Sequence, residues 1–291
     1  MNQFVQVLLF GLTLGGVYAL RASGLTLVFG VMRIVNIAHA AFIIAAAYIA
    51  FYAFTIFHVD PMLSIFITMP VMFFIGMAVY WLFFARIKGT TRAGELTVLL
   101  TFALALIVEG ILGYFFTNIY RSSNPSYATQ AIHFGPYFLS AGQFYATLLS
   151  IGLIALLWVF LKFSRPGYAI RATMQNTSAA QVVGVNVERI SMIAFGLGMA
   201  LAGASGSMLS FLFTFYPAQH WEWIAILLAL IVLGGMGSLG GALAGAVILA
   251  IASTLVGHYF GPTWSPITFF LALFIVLLVR PQGLFGKKVE A

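Results

Sequence analysis

The run Thr97-Val98-Leu99-Leu100-Thr101-Phe102-Ala103-Leu104-Ala105-Leu106-Ile107-Val108-Glu109-Gly110-Ile111-Leu112-Gly113-Tyr114-Phe115-Phe116 carries a single charge, Glu109. A helix of that length rises about 30 Å, the thickness of a bilayer's hydrocarbon core. It reads as a membrane-spanning helix. Comparable runs recur near 3–20, 22–38, 40–57, 62–85, 95–116, 143–163, 190–212, 222–235, 239–257 and 264–280. The second, eighth and ninth are short or interrupted by glycine, so the reading gives about 8–10 spans. The expected fold is an all-α polytopic transmembrane helical bundle with some short or broken helices, one integral domain over residues 1–291.

Composition agrees. The 291 residues are 63% hydrophobic and 7% charged, with a mean hydropathy of +1.08, whereas a soluble domain puts roughly a quarter of its residues in charged classes. A cytosolic enzyme, a secreted disulfide scaffold and a disordered tail are excluded. With no cysteine and five scattered histidines, neither a metal site nor a catalytic residue is expected, and no cofactor. No Walker sequence G-x-x-x-x-G-K-[ST] occurs, so the chain itself is not expected to hydrolyse ATP. Transport is the leading class, powered by a partner or an ion gradient. The net charge of +7 lies in short loops, so no nucleic acid is expected. Met1-Asn2-Gln3-Phe4 lacks the basic region of a signal peptide and reads as part of a retained first span.

Basic residues orient the bundle. Arg86, Lys88 and Arg92, then Lys162, Arg165, Arg171 and Arg189, then Arg280, Lys287 and Lys288 mark one side, cytoplasmic by the positive-inside rule. The alternate connections carry only Arg121. This places the C-terminus in the cytoplasm and, if all ten candidates span, the N-terminus as well. The longest outer connection, Asn118 to Gln143, is expected to carry a short helix lying on the membrane surface.

The segment at about 164–189 is the most unusual on the basic side. Pro166-Gly167 ends the preceding span, residues 169–172 and 178–183 suit two short helices, and Gly184 suits a helix end. It is either an amphipathic element resting on lipid or a docking element for a cytoplasmic subunit, whose groove could close around Ala179, Ala180 and Gly184.

This segment resembles the coupling loop of branched-chain amino acid ABC-transporter permeases of the LivH and LivM type, through Arg171, Ala172, Asn176, Ala179, Ala180, Gly184 and Asn186. The opening Gly15-Gly16-Val17-Tyr18-Ala19-Leu20, Gly24 to Gly30 and Asn36-Ile37-Ala38-His39 also resemble that family, as do Leu233 to Ala242 and Arg280 to Gly286, in family order. Three positions depart from its pattern: Arg21 stands where an apolar residue is usual, Ala40 replaces a common Gly, and Ser178 replaces the usual Glu. The resemblance implies a non-enzymatic permease subunit in a bacterial inner membrane. Its partners would be a second homologous permease, two cytoplasmic ATPase subunits and a periplasmic substrate-binding protein. The substrate would be a branched-chain amino acid or another small polar solute. An ion-coupled secondary transporter or channel is the alternative from another class, and a sugar-type ABC permease is the alternative within the superfamily.

Candidate pathway residues are Arg33, Asn36, His39, Glu109, Gly234, Gly235 and Gly237. Arg33, Asn36 and His39 fall at a spacing of three, along one helical face that should avoid lipid. Asn36 and His39 could equally bond neighbouring helices. The break at Gly234 to Gly241 could line a cavity, and Gly237, Gly241 and Gly245, four apart, suit close helix packing. Glu109, costing about 3 kcal/mol or more if ionised and unpaired in a span, needs a partner. Arg21 is the expected one.

Overall fold

The computed structural model describes residues 3–87, 92–280 and 282–286. Met1, Asn2, Lys88, Pro281, Lys287 and Lys288, used above, lie outside the described residues. Helix α1 covers Gln3–Met32, α2 His39–Phe57, α3 Ile65–Ile87, α4 Ala93–Phe116, α5 Ala141–Phe163, α6 Arg165–Gln175 and α7 Thr177–Val182. They are followed by α8 Val187–Leu212, α9 His220–Gly234, α10 Leu239–Tyr259 and α11 Ile267–Val279. Among the described residues nine helices are long and apolar enough to cross a membrane.

The candidate spans 3–20 and 22–38 are therefore one helix, α1. Arg21 interrupts the apolar run but is a good helix former, and no proline or turn breaks the backbone there. The described residues thus hold nine such helices where the sequence reading gives ten candidate runs.

In the long connection after α4 the expected short surface helix is reduced to one 3-10 turn, Ser126–Ala128. The connection then forms an antiparallel hairpin of β1 (Ala131–Phe134) and β2 (Tyr137–Ser140), with Ala131 opposite Ser140 and Phe134 opposite Tyr137. Gly135, at φ 60°, supplies the positive φ of the turn. Gln6 fixes the hairpin to α1, its side-chain amide bonding the backbone N–H and C=O of Phe138.

Helix α8 is the hub: 83% of its most apolar 18-residue stretch is buried, against 11% for the stretch Pro262–Val279 that contains α11. Its sequence explains this. A Cβ on Gly203 would stand 2.6 Å from the Thr68 carbonyl oxygen of α3, and one on Gly198 2.9 Å from that of Gly24 in α1. Backbones approach this closely only through such small residues. Ser207 adds polar contacts with Ser64 and Thr68 at 3.0 and 2.8 Å. Helix α1 lies in the same way along α10, with Gly11 and Gly15 against Ile251 and Val247.

Candidate functional site

Local capping signals build the segment between α5 and α8. The Ser164 hydroxyl accepts the Gly167 N–H at 3.0 Å and starts α6, the Asn176 carboxamide accepts the Ala179 N–H at 2.9 Å and starts α7, and the Asn186 carboxamide accepts the Arg189 N–H at 3.0 Å and starts α8. Gly184, at φ 87°, closes α7. Of the motif residues, Ala180 is buried while Arg171, Asn176, Ala179, Gly184 and Asn186 are exposed, and Ala172 is half-buried. Arg171 lies over the Tyr168 ring at 5.0 Å. Beyond them Val182 and Val183 are 87% and 77% exposed, an apolar tip on a polar face.

This segment is tied to the bundle through Arg33. That residue adopts φ 58° just past α1 and donates from Nη2 to the Met174 carbonyl at 2.9 Å, near the end of α6. The Met174 side chain packs on Gly30. Gly237, in the turn between α9 and α10, borders Gly30 and Phe29. The same turn receives the C-terminal segment: the Leu284 N–H bonds the Leu233 carbonyl at 2.7 Å and the Phe285 N–H that of Gly234 at 3.2 Å. Gly234 packs directly on Gly241, and Gly235 on Gly286. Arg33, Gly234, Gly235, Gly237 and the α6–α7 pair thus converge on one face of the molecule. Asn36 and His39 lie deeper. Both are fully buried, the Asn36 carboxamide has no hydrogen-bond partner, and the His39 ring lies against Gly24 and the Arg21 backbone.

Glu109 does not join them. It sits sixteen residues along α4, about 24 Å from that helix's start on the basic face, at the opposite end of α9 from the glycines. Its Oε2 accepts from Trp221 Nε1 at 3.0 Å and meets His220 Nε2 at 3.0 Å. His220 is fully buried. The expected Arg21–Glu109 pair is therefore not formed, because α9 begins between α1 and α4 and supplies Glu109 with nearer donors. Arg21, 1% exposed, stacks instead on Trp223 at 4.2 Å, with Phe213 at 5.2 Å and Tyr18 at 5.6 Å. His220, Trp221, Trp223, Phe213 and Met174 are partners that the sequence reading did not pick out.

Among known proteins, a family model described as branched-chain amino acid transport system, permease component, matches residues 7–279. The probable branched-chain amino acid transport permease protein LivH of Methanocaldococcus jannaschii is 28% identical over 287 residues, covering 93% of this chain and 90% of that protein. The high-affinity branched-chain amino acid transport system permease protein LivH of Escherichia coli is 26% identical over 306 residues, covering 98% and 96%. The corresponding E. coli permease protein LivM is 28% identical over 120 residues, 40% of this chain and 28% of that one.

Proposed function

The chain belongs to the permease component family of branched-chain amino acid transport systems, and from that premise we propose that it is the membrane-spanning subunit of a bacterial ABC importer for branched-chain amino acids or a related small polar solute. It acts as one integral domain, residues 1–291, in the inner membrane with its C-terminus in the cytoplasm. Its Arg and Lys residues support that orientation, since Arg33, Arg86, Arg92, Lys162, Arg165, Arg171, Arg189 and Arg280 fall on the side of the α6–α7 pair. The similarity to both LivH and LivM supports a second homologous permease as partner. Two ATPase subunits on the cytoplasmic face and a periplasmic binding protein complete the importer.

The observation that carries this reading is the capped α6–α7 pair with its exposed Val182-Val183 tip, linked to α1 through Arg33 and Met174. An ATPase groove that covers the tip can move α6, and with it the polar stretch Arg33 to His39. Alternating access then follows from ATP-driven closure of the ATPases, with Asn36, His39, Glu109 and the Gly234–Gly237 turn as pathway candidates. The test is uptake of radiolabelled leucine by proteoliposomes holding the permease pair, ATPases and binding protein. Val182→Asp with Val183→Asp is expected to cut ATP-dependent uptake at least tenfold, as roughly 1.4 kcal/mol of lost docking would, while the protein still inserts and elutes as wild type. Undiminished uptake, or uptake without the ATPases, would sink the reading.

A further inference from the structure

Arg21 sits inside the bundle, and among the described residues no carboxylate pairs with it. Its Nε, Nη1 and Nη2 are all buried without a hydrogen-bond acceptor, and the indole Nε1 of Trp223, whose ring lies 4.2 Å from the guanidinium carbon, is buried and likewise lacks one. The group is 1% exposed. Four N–H-bearing nitrogens are thus gathered with no acceptor, walled by the rings of Tyr18, Phe213 and Trp223. Glu222, beside Trp223 in the first turn of α9, is exposed, and among the described residues no ion pair joins it to Arg21. Glu109 is occupied by His220 and Trp221.

Position adds to chemistry. Arg21 lies eighteen residues after Gln3 and eleven before Met32, roughly 27 and 17 Å from the two ends of α1. Transporters place solute sites at such intermediate depth. The link Phe213–Gln219 borders this place and is short and mostly irregular, with one 3-10 turn at Pro217–Gln219. The outer connection clasps it through a bridge of Arg121 with Phe215, each N–H bonding the other's carbonyl at 2.9 Å. The start of α9, which carries Trp223, is therefore held to the outer connection through this link.

We propose that Arg21 receives the carboxylate of the transported solute, its planar donor fork engaging both oxygens while Tyr18, Phe213 and Trp223 enclose the solute's apolar body. This rests on the permease reading and narrows it: the solute is a small carboxylate with a hydrocarbon side chain, and neutral amides and urea are rejected. A buried donor set left unpaired by the wrong ligand is the strongest form of discrimination available to such a site.

The experiment needs neither ATPase nor binding protein, so its failure is distinct from failure of the importer reading. The full-length chain in lipid nanodiscs is titrated with isovalerate and with isovaleramide, which share shape and differ in charge, using tryptophan fluorescence and thermal melting. Isovalerate is expected to saturate and to raise the melting temperature, with isovaleramide at least about tenfold weaker, the scale of one charge-assisted hydrogen bond. Arg21→Met should erase the difference between the two. Arg21→Lys, keeping a point charge but no fork, should retain a reduced preference for the acid, and guards against misfolding of the methionine variant. Equal binding of acid and amide by the wild type, or unchanged isovalerate binding in a folded Arg21→Met chain, overturns the proposal.

Discussion

Glu109 on α4 and Arg21 on α1 meet α9 within one helical turn of each other, yet their surroundings are opposite. Glu109 faces two donors, His220 and Trp221, each at 3.0 Å. Arg21 faces three rings and no acceptor. Glu109, 26% exposed, has two donors, whereas Arg21, 1% exposed, carries the larger desolvation cost with no acceptor among the described residues. The first is therefore a fastening between α4 and α9, while the second is held ready for something the chain does not supply. The same turn of α9 serves both, with residues 220 and 221 turned to α4 and residue 223 to α1.

Opposite signs in stability are the direct way to break this contrast. His220→Leu leaves Glu109 short of one of its two donors, and unfolding of the chain in detergent should show a loss of about 2 kcal/mol, the scale of a hydrogen bond to a charged group. A loss below about 1 kcal/mol, within the range of ordinary interhelical bonds in membranes, would mean that Glu109 is no fastening. Arg21→Met removes a buried charge without orphaning any partner, so the solute-free chain should gain about 1–2 kcal/mol. A loss of that size would instead make the three ring contacts stabilising in themselves, and the two charges would then play the same structural part.

How much of this was legible in the sequence follows from the range of each signal. The α6–α7 pair could be read because its determinants are local: Ser164, Asn176 and Asn186 each cap a helix three residues on, and Gly184 takes the positive φ that ends one. The runs 3–20 and 22–38 look like two spans because Arg21 separates them, but helices are broken by the backbone, and Arg21 leaves the backbone intact. The hairpin at 131–140 also has a local mark, Gly135-Pro136 between two short runs, which competes in the sequence with the expectation of a surface helix. Glu109 announced that it needed a partner but not which one. His220 and Trp221, more than 110 residues away in sequence, become its donors only because α9 is short and starts below the level of its neighbours' ends. The Arg33 bond to Met174, separated by 141 residues, is of the same kind.

The smallest expected effect comes from a carboxylate with the same number of partners on the watery side of the bundle. Asp60, in the link before α3, accepts the Met62 N–H at 2.8 Å and the Tyr127 hydroxyl at 2.9 Å. This repeats the two-donor arrangement at Glu109, with a backbone N–H and a phenol in place of the two rings, in a link between helices instead of inside one. If burial rather than bond count sets the value of the Glu109 fastening, Tyr127→Phe should cost only about 1 kcal/mol or less, because water takes over the lost bond. Burial and the Asp60 carboxylate both push the Tyr127 phenol above its ordinary value. A group raised in the folded state contributes its full share below the unfolded pKa, near 10 for tyrosine, and loses it as pH rises through the folded value. The difference in stability between wild type and Tyr127→Phe should accordingly be flat from about pH 6 to 9 and shrink only in stronger alkali. A cost matching that of His220→Leu would move the explanation from burial to bond geometry, and the contrast between Glu109 and Arg21 would have to be rebuilt on that basis.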